Sequence, residues 1–266
     1  MQVGFINLSK DPVFTLAAVE EIADALQEQS FSDVAPFRQT AGVTCRYYPM
    51  ASAKVNVASG KVATFGLPPG TSPHLILDNP SDQGELGDHY VTEEGLPILR
   101  SFWGPTKDNG GTLLDDFSVT ASHEHIEASE DPYANDWFDW VDGKTEEADE
   151  ACDRVEAYSY KRTGSRVSVS NFTSPRFKRP GPGPYDFMGV LSAWDELPAN
   201  CYRIVRVGGP QGVTTPQFGR QYPDWKKALK MLPTSKATRR GVVWIVESEV
   251  ADLAVDVTRT TEPPRT

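Results

Sequence analysis

The sequence predicts an α+β protein, and three observations lead to this fold class. Apolar residues recur at helical spacing near the N-terminus, over residues 13–27. Short strand-like runs follow, and turns rich in glycine and proline separate them. A second helical segment lies near the middle of the chain and stops before Pro132, because proline cannot continue a helix. The 266 residues, 39% of them hydrophobic, suffice for one large domain or two small ones.

The N-terminal helix is predicted from its amphipathic pattern. One face of this segment carries Leu16, Val19, Ile22, Ala23 and Leu26. Pro12 is expected to start the helix, at a position where its missing N–H breaks no hydrogen bond. The apolar face is therefore expected to pack against the core.

Strands are predicted over residues 44–48, 74–78, 88–92, 97–103, 167–172 and 202–207. The run 74–78 is compact and mostly apolar, which indicates a central strand buried on both faces. Residues 88–92 and 97–103 flank a turn at Glu94-Gly95, so we expect them to pair antiparallel. Asp142-Gly143 has the chemistry of a hairpin turn.

Composition excludes several function classes. The net charge is −11, so nucleic acid is not expected as a main partner, because that affinity comes largely from Lys and Arg. No apolar run is long enough to span a membrane, and no secretory signal is visible at the N-terminus. The three cysteines, Cys45, Cys152 and Cys201, form no even disulfide framework and are expected to be reduced, intracellular thiols.

The C-terminal part of the chain differs from the rest in charge. Residues 139–156 are strongly acidic, whereas 226–240 contain several lysines and arginines. We therefore predict a domain over 1–208 and a C-terminal arm or extension over 209–266, with a basic helix at 222–232. A basic arm on an acidic body suggests packing against a second copy of the chain, and a solvated tail is the alternative.

The second helix carries the candidate chemistry. Ser118 is expected to be its N-cap. His123 and Glu127 lie four residues apart, so they share a helix face and could reach one metal ion. Glu124, the next residue after His123, could accept a proton from an attacking water. This His-Glu-x-x-Glu pattern is a variant of the His-Glu-x-x-His pattern of zinc peptidases. The alternative is a solvated acidic face on an ordinary core helix.

Further short motifs surround that helix in a fixed order. They are Gly87-Asp88-His89, Glu94-Gly95-Leu96-Pro97, Asp131-Pro132, Cys152-Asp153, Glu156, Val169-Ser170-Asn171-Phe172 and Gly183-Pro184-Tyr185-Asp186. In order and spacing, residues 10–208 resemble a family of uncharacterised bacterial and phage proteins that is taken to consist of zincin-like metallopeptidases. The resemblance implies a zincin-like fold, in which a small mixed sheet carries an N-terminal helix and the metal-site helix.

The resemblance also implies roles for individual residues. His123 and Glu127 would be ligands of Zn²⁺, or of Mn²⁺ or Ca²⁺, and Glu124 the general base. Glu156, Asp153 and Asp131 are the candidates for a third ligand, in that order. His125 points away from His123 on the helix and is expected at the surface or behind the ligands. His89 could polarise a substrate carbonyl or have a structural role.

Two functions are compatible with these sequence features. The first is a metal-dependent peptidase acting on a peptide or protein in the cytoplasm. The second is a non-catalytic structural or assembly protein of a phage particle, which keeps the fold and contacts neighbouring copies or other virion proteins. The second function is favoured by the acidic body, the basic C-terminal arm and the proline-rich connections of the chain. Such arms often become ordered only when they bind a neighbouring protein.

Overall fold

A computed structural model describes residues 1–56, 61–78, 86–92, 95–103, 113–175 and 180–219. Its fold is α+β. The helices are α1 (Leu16–Gln29), α2 (Ala35–Arg38) and α3 (Leu113–Glu130). A single π-helical turn, Ser30–Val34, joins the first two. Among the described residues, no helix combines the length and the apolar character needed to cross a membrane.

The main sheet is mixed and has five strands in the order β2-β1-β5-β7-β6. These strands are β1 (Gln2–Asn7), β2 (Thr44–Tyr47), β5 (Thr71–Asp78), β6 (Gly87–Val91) and β7 (Pro97–Trp103). All neighbours pair parallel except β6, which runs antiparallel to β7 and lies at an edge. The predicted central strand and the predicted antiparallel pair are therefore confirmed.

Helix α1 begins later than the sequence suggested. Thr15 is its N-cap, and the Thr15 side chain accepts a hydrogen bond from the N–H of Ala18. Pro12 thus lies in the preceding turn and not in the helix. Val19 and Leu26 are fully buried as predicted, but Leu16 is exposed at the first helical position.

Both faces of the main sheet are covered. Helices α1 and α3 pack on one face, where Val3 and Phe5 of β1 meet Ile22 of α1 and Phe117 of α3. On the other face, Ile6, Leu75 and Ile98 pack beneath a hairpin formed by β3 (Ser52–Asn56) and β4 (Lys61–Phe65). The sheet is therefore the centre of the fold, which agrees with the near-complete burial of β5.

Helix α3 is longer than predicted. It begins at Leu113, so Ser118 is not an N-cap but a buried residue within the helix. The Ser118 hydroxyl lies close to the carbonyl oxygens of Asp115 and Ser168, and the second contact links the helix to a neighbouring strand. The helix ends at Glu130, directly before Asp131 and Pro132, as expected.

A second, antiparallel sheet has the order β13-β12-β9-β8. Its strands are β8 (Trp137–Asp139), β9 (Thr145–Ala148), β12 (Tyr202–Val207) and β13 (Val213–Phe218). The predicted turn at Asp142-Gly143 joins β8 and β9. β13 lies beyond residue 208, where the predicted arm begins, and pairs with β12 along its length. The predicted basic helix at 222–232 lies outside the described residues.

Two short strands, β10 (Ser159–Lys161) and β11 (Ser168–Ser170), form a small hairpin. β11 packs against α3, and Val167 and Val169 join the core cluster beneath the two helices. The predicted strand over 167–172 is therefore present, although it is shorter than expected. After this hairpin the chain reaches Phe172. Phe172 packs with Ile126, near the C-terminal end of α3, and with Cys152.

Candidate metal centre

Three separate parts of the fold meet at the candidate site. Helix α3 contributes His123, Glu124 and Glu127, and the edge strand β6 contributes His89. The third part is the segment 149–156, which contains a 3₁₀ turn at Asp153–Val155. The site therefore lies where a helix, a sheet edge and a tight turn come together.

His123 lies between two carboxylates from different elements. Its Nε2 atom is 3.1 Å from Oε1 of Glu127 and 3.3 Å from Oδ1 of Asp153. Two ligands of a tetrahedral zinc ion, with bonds of about 2.0–2.2 Å, are separated by roughly 3.3–3.6 Å. The observed distances are close to that separation. All three side chains are buried, with exposed fractions of 12% for His123, 4% for Glu127 and 3% for Asp153.

Cys152 belongs to the same group of potential ligands. Its Sγ, a nitrogen of His123 and an oxygen of Glu127 all lie within 4.8 Å of one another. The backbone N–H of Cys152 also donates to Oε1 of Glu127 at 3.1 Å, which fixes the orientation of that carboxylate. Burial raises the pKa of the Cys152 thiol well above its usual value, so the thiol holds its proton in the metal-free protein.

His89 forms the other side of the cluster. Its Nδ1 is 3.4 Å from Oε2 of Glu124 and 3.9 Å from Oε2 of Glu127. Its Nε2 is 4.0 Å from Oε2 of Glu150, which is too long for a hydrogen bond. The two oxygens of Glu127 thus face different histidines, His123 and His89.

Gly87, on the same strand as His89, leaves room for Glu124. A Cβ atom at Gly87 would lie 2.7 Å from Oε1 of Glu124 and 2.9 Å from the methyl carbon of Thr120. Any larger residue would therefore displace the Glu124 side chain. Glycine lets the strand approach the helix closely at this point.

The cluster has an excess of negative groups. Five carboxylates, those of Glu124, Glu127, Glu150, Asp153 and Glu156, surround two imidazoles. Among the described residues, the ion pairs of these acids are with His89 and His123 and not with lysine or arginine. One oxygen each of Glu150, Asp153 and Glu156 is buried without a hydrogen-bond partner within the described part of the chain. Buried, unpaired carboxylate oxygens are costly unless a cation or a proton neutralises them.

The pKa values reflect this crowding. Burial raises the pKa of Glu156 to about 8, and that of Asp153 to about 7. Burial by itself lowers the pKa of His89, but the hydrogen bond to Glu124 and the surrounding acids outweigh it and raise that pKa to about 10. Protons shared among these acids and imidazoles therefore offset part of the negative charge of the cluster.

A buried ion pair supports the turn that carries Asp153. The Arg154 guanidinium is 1% exposed and binds both carboxylate oxygens of Glu147 on β9. It also donates to the carbonyl oxygen of Trp194 at 2.7 Å. Asp153 and Glu156 lie within two residues of Arg154. The Arg154–Glu147 pair therefore fixes the position of this turn relative to α3.

The predicted third-ligand candidates differ in their surroundings. Asp153 contacts His123 directly, and Glu156 interacts electrostatically with His123, Asp153 and Glu127. Asp131 follows the last residue of α3. Its Oδ2 accepts the N–H of Asp136 at 2.7 Å in the following loop, and its carboxylate interacts electrostatically with His89 and Glu150. The structure thus brings Asp153 into contact with His123, places Glu156 near the same imidazole, and places Asp131 on the side of His89 and Glu150.

The sequence left two alternatives open for each of two further histidines, His125 and His89. His125 is not at the surface but 1% exposed, with Nε2 3.5 Å from the Cys45 sulfur on the core side of α3. Burial lowers its pKa to about 4. His89 lies within the cluster, and so does Glu150, which the sequence did not single out. The spacing of His89 and Glu150 from His123 along the chain gives no signal, because the contact of His89 depends on the pairing of β6 and that of Glu150 on the loop after β9.

No protein-family model, no curated protein and no solved structure matches this chain. A metal centre is therefore inferred from the residues of this chain alone. Two overlapping groups of potential ligands, His123–Glu127–Cys152 and His89–Glu124–Glu127, have donor atoms within 4.8 Å of one another, and Glu127 belongs to both. Their buried, acidic surroundings would be stabilised by a divalent cation.

Proposed function

We propose that the protein is a divalent-metal-dependent hydrolase with a zincin-like site, which cleaves an amide bond in a peptide or protein. One observation carries this proposal. A single turn of α3 holds His123 and Glu127 side by side, and Asp153 from another element meets the same imidazole nitrogen at 3.3 Å. The mixed sheet that carries α1 and α3 supports the zincin-like assignment.

The residues present fit a divalent cation. His123 and Glu127 would hold it, with Cys152 Sγ within 4.8 Å of both and Asp153 Oδ1 3.3 Å from the His123 nitrogen as the further donors. One imidazole and several carboxylates form a harder ligand set than the histidines of most zinc peptidases. Mn²⁺ should therefore compete with Zn²⁺ better here than at a histidine-rich site.

The cation would polarise the substrate carbonyl and make an attacking water more acidic. Glu124 is the residue of this chain that would take the proton from that water and pass it to the leaving amine. Its pKa is raised by burial, which brings it towards neutral pH, where a general base works best. His89 holds Oε2 of Glu124, and Gly87 leaves space beside Oε1.

The proposal is tested by metal content and hydrolysis together. The full chain, expressed and purified without chelator, should carry about one tightly bound divalent ion, measured by mass spectrometry of the metal. Glu124→Gln should keep that ion but lose hydrolysis of a mixed peptide library by about 10²–10⁴-fold. Glu28→Gln is the matched control, since Glu28 is 65% exposed and lies outside the site. Unchanged hydrolysis in Glu124→Gln would remove Glu124 as the base.

A second candidate function is a structural protein that is stabilised by a buried ion. It is favoured by the closure of the cluster, since the side chains of Glu124, Glu127, His89 and Asp153 are all less than 10% exposed. Structural zinc sites are closed in this way, whereas catalytic sites keep an open position. In that case a chelator would lower the melting temperature, and no peptide of the library would be cleaved.

A further inference from the structure

We propose that the cluster has a second divalent-cation position, formed by His89, Glu124 and Glu127, whose filling switches the site off by engaging Glu124. This inference rests on the proposed function, because it concerns the regulation of the same site. The first position lies between His123 and Asp153, and Glu127 would serve both positions.

The donor atoms of the second position already face one another. His89 Nδ1 is 3.4 Å from Oε2 of Glu124 and 3.9 Å from Oε2 of Glu127, and all three atoms lie within 4.8 Å. Glu127 uses its other oxygen, Oε1, towards His123. A carboxylate whose two oxygens point to separate groups of ligands is the arrangement found between the ions of two-metal sites, which lie about 3.5–4 Å apart.

The far side of the His89 ring gives an independent indication. His89 Nε2 and Glu150 Oε2 are both buried, lack a hydrogen-bond partner among the described residues, and face each other at 4.0 Å. An imidazole that binds a cation through Nδ1 keeps its proton on Nε2 and normally donates it to a carboxylate. A small movement of Glu150 would complete this hydrogen bond, so Glu150 is placed to orient His89 as a ligand.

Filling the second position has a direct chemical consequence. A carboxylate that is bound to a cation cannot serve as a free base, so Glu124 would be withdrawn from proton transfer. The protein with one ion would then be the active form, and an excess of the same ion would inhibit it. His89, as a ligand of the second ion, would set the ion concentration at which this inhibition begins.

The proposal is tested by cobalt binding, which requires no substrate. The metal-free full chain is titrated with Co²⁺ alone and followed by the visible absorption spectrum and by calorimetry. Wild type should bind two equivalents. Both His89→Gln and the nearly isosteric Glu124→Gln should bind one. Glu150→Ala should weaken the second equivalent by about 10–100-fold, as the loss of a supporting carboxylate typically does.

The controls separate this proposal from the proposed function. Glu28→Gln should retain both equivalents, and the melting temperature of each metal-free variant shows whether it is folded. One equivalent in wild type, or two in both His89→Gln and Glu124→Gln, would overturn the second position and leave the proposed function intact. No bound Co²⁺, or an undiminished first equivalent in His123→Gln, would overturn both.

Discussion

Replacing Glu156 by glutamine should stabilise the metal-free protein. The pKa of this carboxyl is raised from 4.5 to about 8, first by burial and then by Asp153, Glu127 and Glu124, against the opposing effect of His123. The folded state therefore holds the Glu156 proton more tightly than the unfolded chain does. As the pH rises from about 4.5 through 8, the free energy of unfolding falls, and glutamine removes this loss.

The magnitude follows from the pKa difference. Between the unfolded pKa of 4.5 and pH 7 lie about 2.5 pH units, and at about 1.4 kcal/mol per unit they correspond to at most about 3.5 kcal/mol. Glu156 is only partly buried, and the solvent screening that this allows reduces the value, so we expect about 1–3 kcal/mol. For a domain of this size, that corresponds to a rise in melting temperature of roughly 2–10 °C.

The assay is thermal unfolding of chelator-treated protein at pH 5, 6, 7 and 8. The difference in melting temperature between Glu156→Gln and wild type should increase with pH. The melting temperature of Glu28→Gln should equal that of wild type at every pH. In saturating Zn²⁺ the sign should reverse, because a carboxylate beside a cation is favourable and an amide replaces it poorly. A metal-free variant that is less stable than wild type at pH 7, or a gap that does not change with pH, would refute the reasoning.

Three further predictions concern the scaffold of the site. Glu147→Ala removes the carboxylate that pairs with the buried Arg154 guanidinium. We expect the free energy of unfolding to fall by about 3–5 kcal/mol and the melting temperature by roughly 6–20 °C. A change in melting temperature below about 2 °C would contradict a stabilising buried pair. Burial, together with a neighbouring histidine, holds the pKa of His74 well below 6.5, so wild type should lose stability below that pH as the unfolded chain gains a proton. His74→Gln should show a smaller drop in melting temperature from pH 7.5 to 5.5, and an equal drop would argue against a neutral, buried His74. Gly87→Ala should displace Glu124 and lower peptide hydrolysis by about 10²-fold while the protein stays folded by circular dichroism, and full activity would show that the strand has room for a Cβ atom.

Several elements could be predicted because their signals are local. The antiparallel pair β6–β7 and the hairpin at Asp142-Gly143 follow from turn chemistry between runs of strand-forming residues. The pairing of His123 with Glu127 follows from helix geometry, since residues four apart always lie on one face. These features depend only on neighbours along the chain.

Other elements were missed because distant residues decide them. β1 was not predicted, yet it becomes an internal strand of the main sheet by pairing in parallel with both β2 and β5. Ser118 has the composition of an N-cap, but packing against β11 extends α3 by more than a turn before it. Tertiary packing here outweighs a capping preference of about 1 kcal/mol.

The sequence by itself determined the helix that carries His123, Glu124 and Glu127, because a repeat of 3.6 residues fixes which side chains are adjacent. Only the tertiary structure decided which other groups face them. His89 reaches the site through the register of an edge strand, and Asp153 through a turn held by Arg154. These contacts join residues more than 25 positions apart, and the chain pattern near each residue carries no information about its partner across that distance.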